Sequence, residues 1–460
     1  MNRPTLMHEE PKVVNGQFQS PICQRVHRMT KSYKWFLIAM LSCAFFFHQA
    51  DRALFGILTI PIQDELKLSD VQIGWINTTL SWTLAAMTVV AGFLGDRLSR
   101  KWIITLSLIA WSLMTVCMGF IGGFFGALFF RSIATGVGES FYAPSAYALI
   151  AVHHKETRSV ALSIHQAALY VGLMVSGLVV AWLLGFLGTW RNVFIAFGVA
   201  GCLLGIAFIW ALKDGTAGVV RTAAKGAPSR DHSISQSLRA YFCNPSALCA
   251  TAGFVAIVFV NNAYLFWAPK FMAMKFQAAY EAALNVNAAT PEGMKAIVGA
   301  AGSQTMLWHH LFAFAAIMLG GVATDHFVKR MPRFRLGFQV VALLCGAPML
   351  LWIGFAPSIV SVLVAACAYG VFRGFFEVNT HASLFDVVPP EHRSTAVGLL
   401  NMIAFFFGGL SGVAMGALSQ RWGVRGFEIG FAIMAGAYFI GALLMAFSFF
   451  FTFRRDVIRE

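Results

Sequence analysis

The sequence predicts an all-α integral membrane protein with twelve transmembrane helices in two six-helix, pseudo-symmetric bundles. Three observations predict it: a composition too apolar for a water-soluble fold, twelve apolar runs of spanning length, and a charged motif that returns in the second half. Of 460 residues, 58% are hydrophobic and 12% charged, against about a quarter charged in a soluble domain. A soluble body so apolar would carry sticky patches over much of its surface, whereas in lipid those side chains can face outward. The 44 phenylalanines and 42 glycines suit lipid-facing surfaces and close helix approach.

About 20 apolar residues cross the hydrocarbon layer. Runs of that kind cover 35–58, 72–95, 102–121, 124–151, 158–186 and 191–212, then 247–273, 303–325, 336–355, 358–386, 394–420 and 427–452. They are numbered spans 1 to 12. This divides the chain into an N-terminal segment (1–34), a first bundle (35–212), a polar, basic linker (213–246), a second bundle (247–453) and a tail (454–460). Residues 1–34 are polar and basic, and the apolar run that follows is too long for the core of a cleavable signal. Residues 274–302, between spans 7 and 8, are Ala-rich and mildly amphipathic. They read either as a short helix over the mouth or as a solvated loop.

Lys and Arg set the orientation. With the N-terminus in the cytoplasm, 24 of the 34 fall on that side and 7 on the other, while Arg52, Arg131 and Arg373 lie inside spans. Both termini are therefore expected to be cytoplasmic, in a multi-pass cell (inner) membrane protein. The net charge of +14 belongs to these flanks. No basic run is interleaved with aromatics in a polar segment, so nucleic acid is not an expected partner. The eight cysteines are scattered without metal-ligand spacing, and no metal or cofactor is predicted.

The halves resemble each other. Gly92-Phe-Leu-Gly-Asp96-Arg97-Leu-Ser-Arg100-Lys101 closes span 2, and Gly321-Val-Ala-Thr-Asp325-His-Phe-Val-Lys-Arg330 closes span 8. Glu156-Thr-Arg158-Ser-Val-Ala161 precedes span 5, and Glu391-His-Arg393-Ser-Thr-Ala396 precedes span 11. Matches at corresponding spans imply parallel repeats around a central cavity.

The loop after span 2 resembles the signature of the major facilitator superfamily, Gly-x-x-x-Asp-Arg-x-x-Arg-Lys, with Gly92, Asp96, Arg97, Arg100 and Lys101 in register. By that resemblance these residues, with Asp325 of the second copy, are gating residues. A carboxylate can cap a neighbouring helix N-terminus, and the basic groups can pair across the halves. Within the superfamily the chain is similar to spinster-like transporters and to organic anion symporters. The supporting stretches are Asp51-Arg52, Gly136-Val-Gly-Glu139-Ser-Phe-Tyr, Leu265-Phe-Trp-Ala-Pro269 and Asp386-Val-Val-Pro-Pro-Glu-His-Arg-Ser-Thr-Ala396. One departure stands out. In the relatives that the resemblance points to, an Arg usually lies seven residues before the span 4 Glu, whereas Arg131 lies eight before Glu139. At about 100° per residue that turns Arg131 away from the expected face. Either a π-bulge restores the register or Arg131 has another role.

Ionisable groups inside a span are costly unless paired or hydrated, so each is a functional candidate. Span 1 carries His48, Asp51 and Arg52, span 4 carries Arg131 and Glu139, and span 10 carries Arg373, Glu377 and His381, four apart on one helical stripe. Asp51 and Glu139, by burial and by resemblance, are the first candidates for proton coupling. Glu377 and His381 are the second. A buried carboxylate binds its proton more tightly, and an Arg that approaches or withdraws switches that affinity. A static charge network holding the bundle together is the structural alternative. The expected substrate contacts are His48, Arg52, Arg131, His165, Gln166, Tyr170, Asn261, Asn262, Tyr264, Trp267, Arg373, Asn379 and Asn401, with Asn77, Thr78, Thr79, Gln304, Trp308, His309 and His310 as further polar groups in spans. Any one of them could instead bridge helices. Together they imply a wet cavity with cationic groups.

That cavity suits proton-coupled symport of a small organic anion or sugar acid by alternating access, in a monomer whose partners are the substrate, protons and the bilayer. The alternative is a spinster-like lysolipid or sphingolipid transporter, or a drug:proton antiporter. An enzyme is not expected. No span pairs a nucleophile with a base, and neither HExxH nor a phosphate-binding loop is present.

Overall fold

A computed structural model describes residues 13–14, 17–18, 21–95, 98–154, 157–213, 234–331 and 333–458. Asp96 and Arg97 of the loop after span 2, and most of the 213–246 linker, lie outside the described residues. A two-residue β-hairpin, Val13–Val14 with Gln17–Phe18, precedes the first helix. The other described elements are helices, with twelve spans in two bundles of six.

In the first half, span 1 is Pro21–Ile57, span 2 Asp70–Gly95, span 3 Arg100–Met118, span 5 Arg158–Leu187 and span 6 Trp190–Ala211. Span 4 is built from pieces: Phe124–Ala127, a π-helical stretch Leu128–Ala134, then Thr135–Ser140 and Tyr142–His153. In the second half, span 7 is Pro245–Lys275, span 8 Pro291–Phe327, span 9 Phe334–Phe355 and span 11 Arg393–Trp422. Span 10 breaks into Ile359–Glu377 and Thr380–Phe385. Span 12 runs from Val424–Phe447 into a second π stretch, Ser448–Thr452, and ends at Phe453–Asp456. Among the described residues, nine helices (spans 3 and 5 to 12) are long and apolar enough to cross a membrane. Span 1 carries charges, and span 4 is divided by its change of winding.

Helix ends follow local chemistry. Ser99, Thr189, Asn244, Thr290 and Ser358 each accept a backbone N–H of the first turn, satisfying donors that have no partner within the helix. Pro245 and Pro291 sit just inside two of these starts, where a missing N–H costs nothing. The Thr290 cap corrects the expected start of span 8. The helix begins at Pro291, well before residue 303, because cap and proline nucleate it there. Of the two readings of 274–302, the structure shows the helical one: Gln277–Leu284 is a short helix, ended by Asn285 at φ 54°. It is pinned by Tyr280, whose hydroxyl donates to Gln304 Oε1 (2.7 Å).

The halves meet through spans 2 and 11, 5 and 8, and 1 and 7. Here the face at which span 1 begins and span 12 ends is termed the terminal face and the other the distal face. Toward the distal face the backbones nearly touch. Gly74 packs on Gly412, Gly177 on Gly302, and Gly56 on the Leu265 and Phe266 carbonyls. Hydrogen bonds lock the same region. Thr78 Oγ1 donates to the Gly409 carbonyl (2.8 Å), Trp267 Nε1 to the Gly412 carbonyl (3.1 Å) and Trp82 Nε1 to the Phe406 carbonyl (2.9 Å). At the rim, Asp70 of the first half accepts from Lys270 Nζ and from Ser419 Oγ of the second, with Gln63 alongside. Lys270 lies within span 7, as the expected run 247–273 has it, and is buried against the first half rather than facing solvent. The described hydrogen bonds between halves reach no closer to the terminal face than Trp82–Phe406 and Tyr170–Glu377.

Candidate functional site

Under the distal seal lies a cavity of about 990 Å³, open solvent included. Its polar wall comes from Gln49 and Arg52 of span 1, Asn77 and Ser81 of span 2, Asn261 and Asn262 of span 7, and Arg373 and Glu377 of span 10. Its apolar wall comes from both halves, with Leu80, Leu84, Leu169 and Leu173 facing Phe254 and Phe405 among others.

Behind the first-half wall sits a buried ionic cluster. Seven residues make almost two α-helical turns, and eight overshoot by about 80°, so Arg131 and Glu139 would not share a face on a regular helix. The π stretch Leu128–Ala134 removes the difference. Its marker is the Thr135 N–H, which reaches the Phe130 carbonyl five residues back, and Thr135 Oγ1 donates to that same oxygen (2.7 Å). Of the two readings of Arg131, the π-bulge is the one the structure shows, and both charges reach span 1. Arg131 Nη1 lies 3.5 Å from Asp51 Oδ2, and Nη2 donates to the carbonyls of Asp51 (3.4 Å) and Arg52 (3.1 Å). Thr115 Oγ1 donates to Asp51 Oδ1 (3.1 Å). Arg52 Nε donates to Glu139 Oε2 (3.0 Å), and His48 Nε2 is 3.5 Å from the same oxygen. Asp51, Arg131 and Glu139 are 4%, 3% and 2% exposed. Only Arg52 of this cluster touches the cavity.

The second half presents Arg373 and Glu377. Arg373 Nη2 lies 3.4 Å from Glu377 Oε2, and Nη1 is 2.9 Å from His309 Nε2. Glu377 also accepts the Tyr170 hydroxyl (2.7 Å), a bond across the halves. The polar stripe expected to run on to His381 is interrupted. The helix breaks at Val378–Asn379, where Asn379 Nδ2 donates to Thr324 Oγ1 (3.1 Å), and His381 is exposed on the next short helix.

Of the predicted contacts, Arg52, Asn261, Asn262 and Arg373 line the cavity, together with Asn77 of the further polar groups and Glu377, a proton-coupling candidate. Tyr170 touches it through Glu377. Asn401 is half-buried on span 11, and Gln166 is exposed, accepting from the Tyr147 hydroxyl (2.8 Å). Others pack away from the wall. His165 stacks on Phe45 at 4.4 Å and is 3.2 Å from the Tyr142 hydroxyl. Tyr264 leans on His309 and donates to the Thr305 carbonyl (3.3 Å). Trp267 belongs to the distal seal. His309 and His310 diverge, as their adjacency predicts: His309 meets span 10, while His310 Nδ1 is 2.8 Å from the Met306 carbonyl of its own helix. At the terminal face, Gly92 lies in the last turns of span 2. Arg100 Nη1 donates to the Ala148 carbonyl (3.3 Å), Lys101 lies over Trp102, and Asp325 is exposed. Gln49 and Ser81 were not expected at the wall. Each neighbours a predicted group, and its side of the helix is the only signal for it.

A family model described as Major Facilitator Superfamily matches residues 40–290 and 276–457. The chain is 26% identical over 400 residues, 84% of its length, to Protein spinster of Drosophila melanogaster. It is 31% identical over 186 residues, 39% of its length, to a probable galactarate/D-glucarate transporter of Bacillus subtilis (strain 168). The matched stretches cover 62% of the fly protein and 40% of the bacterial one. In fold it is similar to a bacterial homolog of the human lysosomal transporter spinster, solved in an inward-facing and unoccupied conformation. The TM-score is 0.75 at 19% identity, over 93% of this chain and 99% of that one.

Proposed function

Because the chain belongs to the Major Facilitator Superfamily, we propose that it is a proton-coupled symporter of a small organic anion or sugar acid, working as a monomer by alternating access. Both termini are in the cytoplasm, so the cavity, sealed at the distal face, opens inward in this state. Residues 35–212 and 247–453 rock against each other about the 213–246 linker, with Gly92, Asp96, Arg97, Arg100, Lys101 and Asp325 gating the terminal face.

The observation that carries the proposal is the placement of Arg52. Arg52 lines the cavity wall with a partly exposed side chain, and the only acceptor of its guanidinium among the described residues is the buried Glu139. An anion entering the cavity competes with Glu139 for that guanidinium. A carboxylate that loses its cation inside a membrane binds a proton more readily, so anion and proton load together. Asp51 is held in the same cluster by Arg131, and Glu377 answers to Arg373 in the second half. The match to a galactarate/D-glucarate transporter supports a sugar acid.

Uptake into proteoliposomes against imposed pH gradients tests this. Asp51→Asn and Glu139→Gln are expected to lose concentrative uptake, falling to simple equilibration while exchange of bound substrate persists. Full gradient-driven accumulation in both variants would sink the proposal. A lysolipid reading draws on one observation, the apolar wall from Leu80, Leu84, Leu169, Leu173, Phe254 and Phe405. A ligand stabilises the state it binds, so thermal stabilisation by lysolipids but not by sugar acids would replace the first reading with this one.

A further inference from the structure

Resting on the reading that the cavity takes an organic anion, we infer that the substrate is a dicarboxylate, gripped at one end by Arg52 and at the other by Arg373. These two arginines line one cavity from different halves of the molecule. Each is only partly committed. Among the described residues Arg52 donates one hydrogen bond, through Nε. Arg373 meets His309 and Glu377 through its two Nη atoms, while its Nε is buried without an acceptor. A buried N–H left unpaired is costly, and a carboxylate is the acceptor whose two oxygens match the guanidinium fork.

The Arg373 end is built to stay in place. Arginine only donates, so His309 Nε2 is an acceptor and the ring is neutral, with its Nδ1–H directed at the Ala366 carbonyl (3.4 Å). His309 is buried and stacked on Tyr369 at 4.8 Å. It acts as a positioning residue, fixing the guanidinium without touching the ligand. The same wall offers Gln49, Asn77, Asn261 and Asn262, whose amides both donate and accept, as the hydroxyls of a sugar acid require. A ligand with one carboxylate engages one half of the molecule. A ligand with two ties span 1 to span 10 and so favours a conformation in which the halves are closer.

The test uses the full-length protein in detergent and in proteoliposomes, with a matched pair: galactarate, carrying a carboxylate at each end, and galactonate, carrying one. The expected result is that galactarate binds about 10- to 100-fold more tightly. Arg373→Gln should bring that ratio close to unity. His309→Gln, which keeps an acceptor for the guanidinium, should retain the preference that His309→Phe loses. Equal affinity of the unaltered protein for both acids, with proton-driven uptake of either intact, overturns the dicarboxylate inference and leaves the symporter standing. Stabilisation by a lysophospholipid and by neither acid overturns both.

Discussion

Arg131→Ala is expected to destabilise the folded bundle by about 3–5 kcal/mol, the cost of breaking a buried ion pair from one side. Arg131 is 3% exposed and supplies the cation opposite Asp51, which is 4% exposed. Without it, Asp51 keeps the Thr115 hydroxyl as its hydrogen-bond donor among the described residues, in a buried site. Asp51→Asn in the Arg131→Ala background removes the stranded charge and should recover much of the loss, which a double-mutant cycle reads directly. Thermal melting of the four proteins in one detergent is the measurement. If Arg131→Ala melted with the unaltered protein, the cluster would not be holding spans 1 and 4 together.

Gly74→Val is expected to act on the conformational equilibrium. A Cβ built at Gly74 stands 2.6 Å from the Gly412 carbonyl oxygen and 2.7 Å from the Val413 Cα. Both are backbone atoms that no rotamer change can move. Overpacking of this kind costs about 1–3 kcal/mol, and only in the state whose distal face is shut. A coupling of that size shifts populations by about 5- to 150-fold. The variant should therefore fold, open toward the distal face and turn over slowly. Gly185→Val is the control, since a Cβ there meets nothing within 4 Å. Thiol labelling of a cysteine placed in the cavity, from each side of a sealed vesicle, checks it. Equal labelling in Gly74→Val and the unaltered protein would mean that the contact does not seal the distal face.

Much of this architecture is legible in the chain because lipid leaves few options. The apolar runs, the charge bias and the repeated loop were enough for twelve spans in two halves. The individual charges were legible too, since Asp51, Arg52, Arg131, Glu139, Arg373 and Glu377 interrupt apolar runs. Direction was less legible. Trp267 and Asn262 lie in one helix five residues apart, yet one seals the interface and the other lines the cavity. Span 7 stays helical through Pro269, and its last turns carry Lys270 into the interface. Nothing local in the sequence joins Lys270 to Asp70, which is 200 residues away. The acceptor role of His309 was equally hidden, because it depends on the packing of span 8 against span 10.

The wide turn in span 4 bears on how homologous chains are lined up. Alignments conventionally forbid gaps inside a membrane helix. Counting back seven from Glu139 under that rule puts Ser132 in the column where the family resemblance leads one to expect an arginine, and Ser132 donates its hydroxyl to the Ile76 carbonyl, far from any ionic duty. The arginine is present, one column over, because residues 128–134 absorb an extra amino acid without turning the helix that follows. A conservation score computed by column would record a lost charge. In this chain the charge is present and reaches Asp51 all the same.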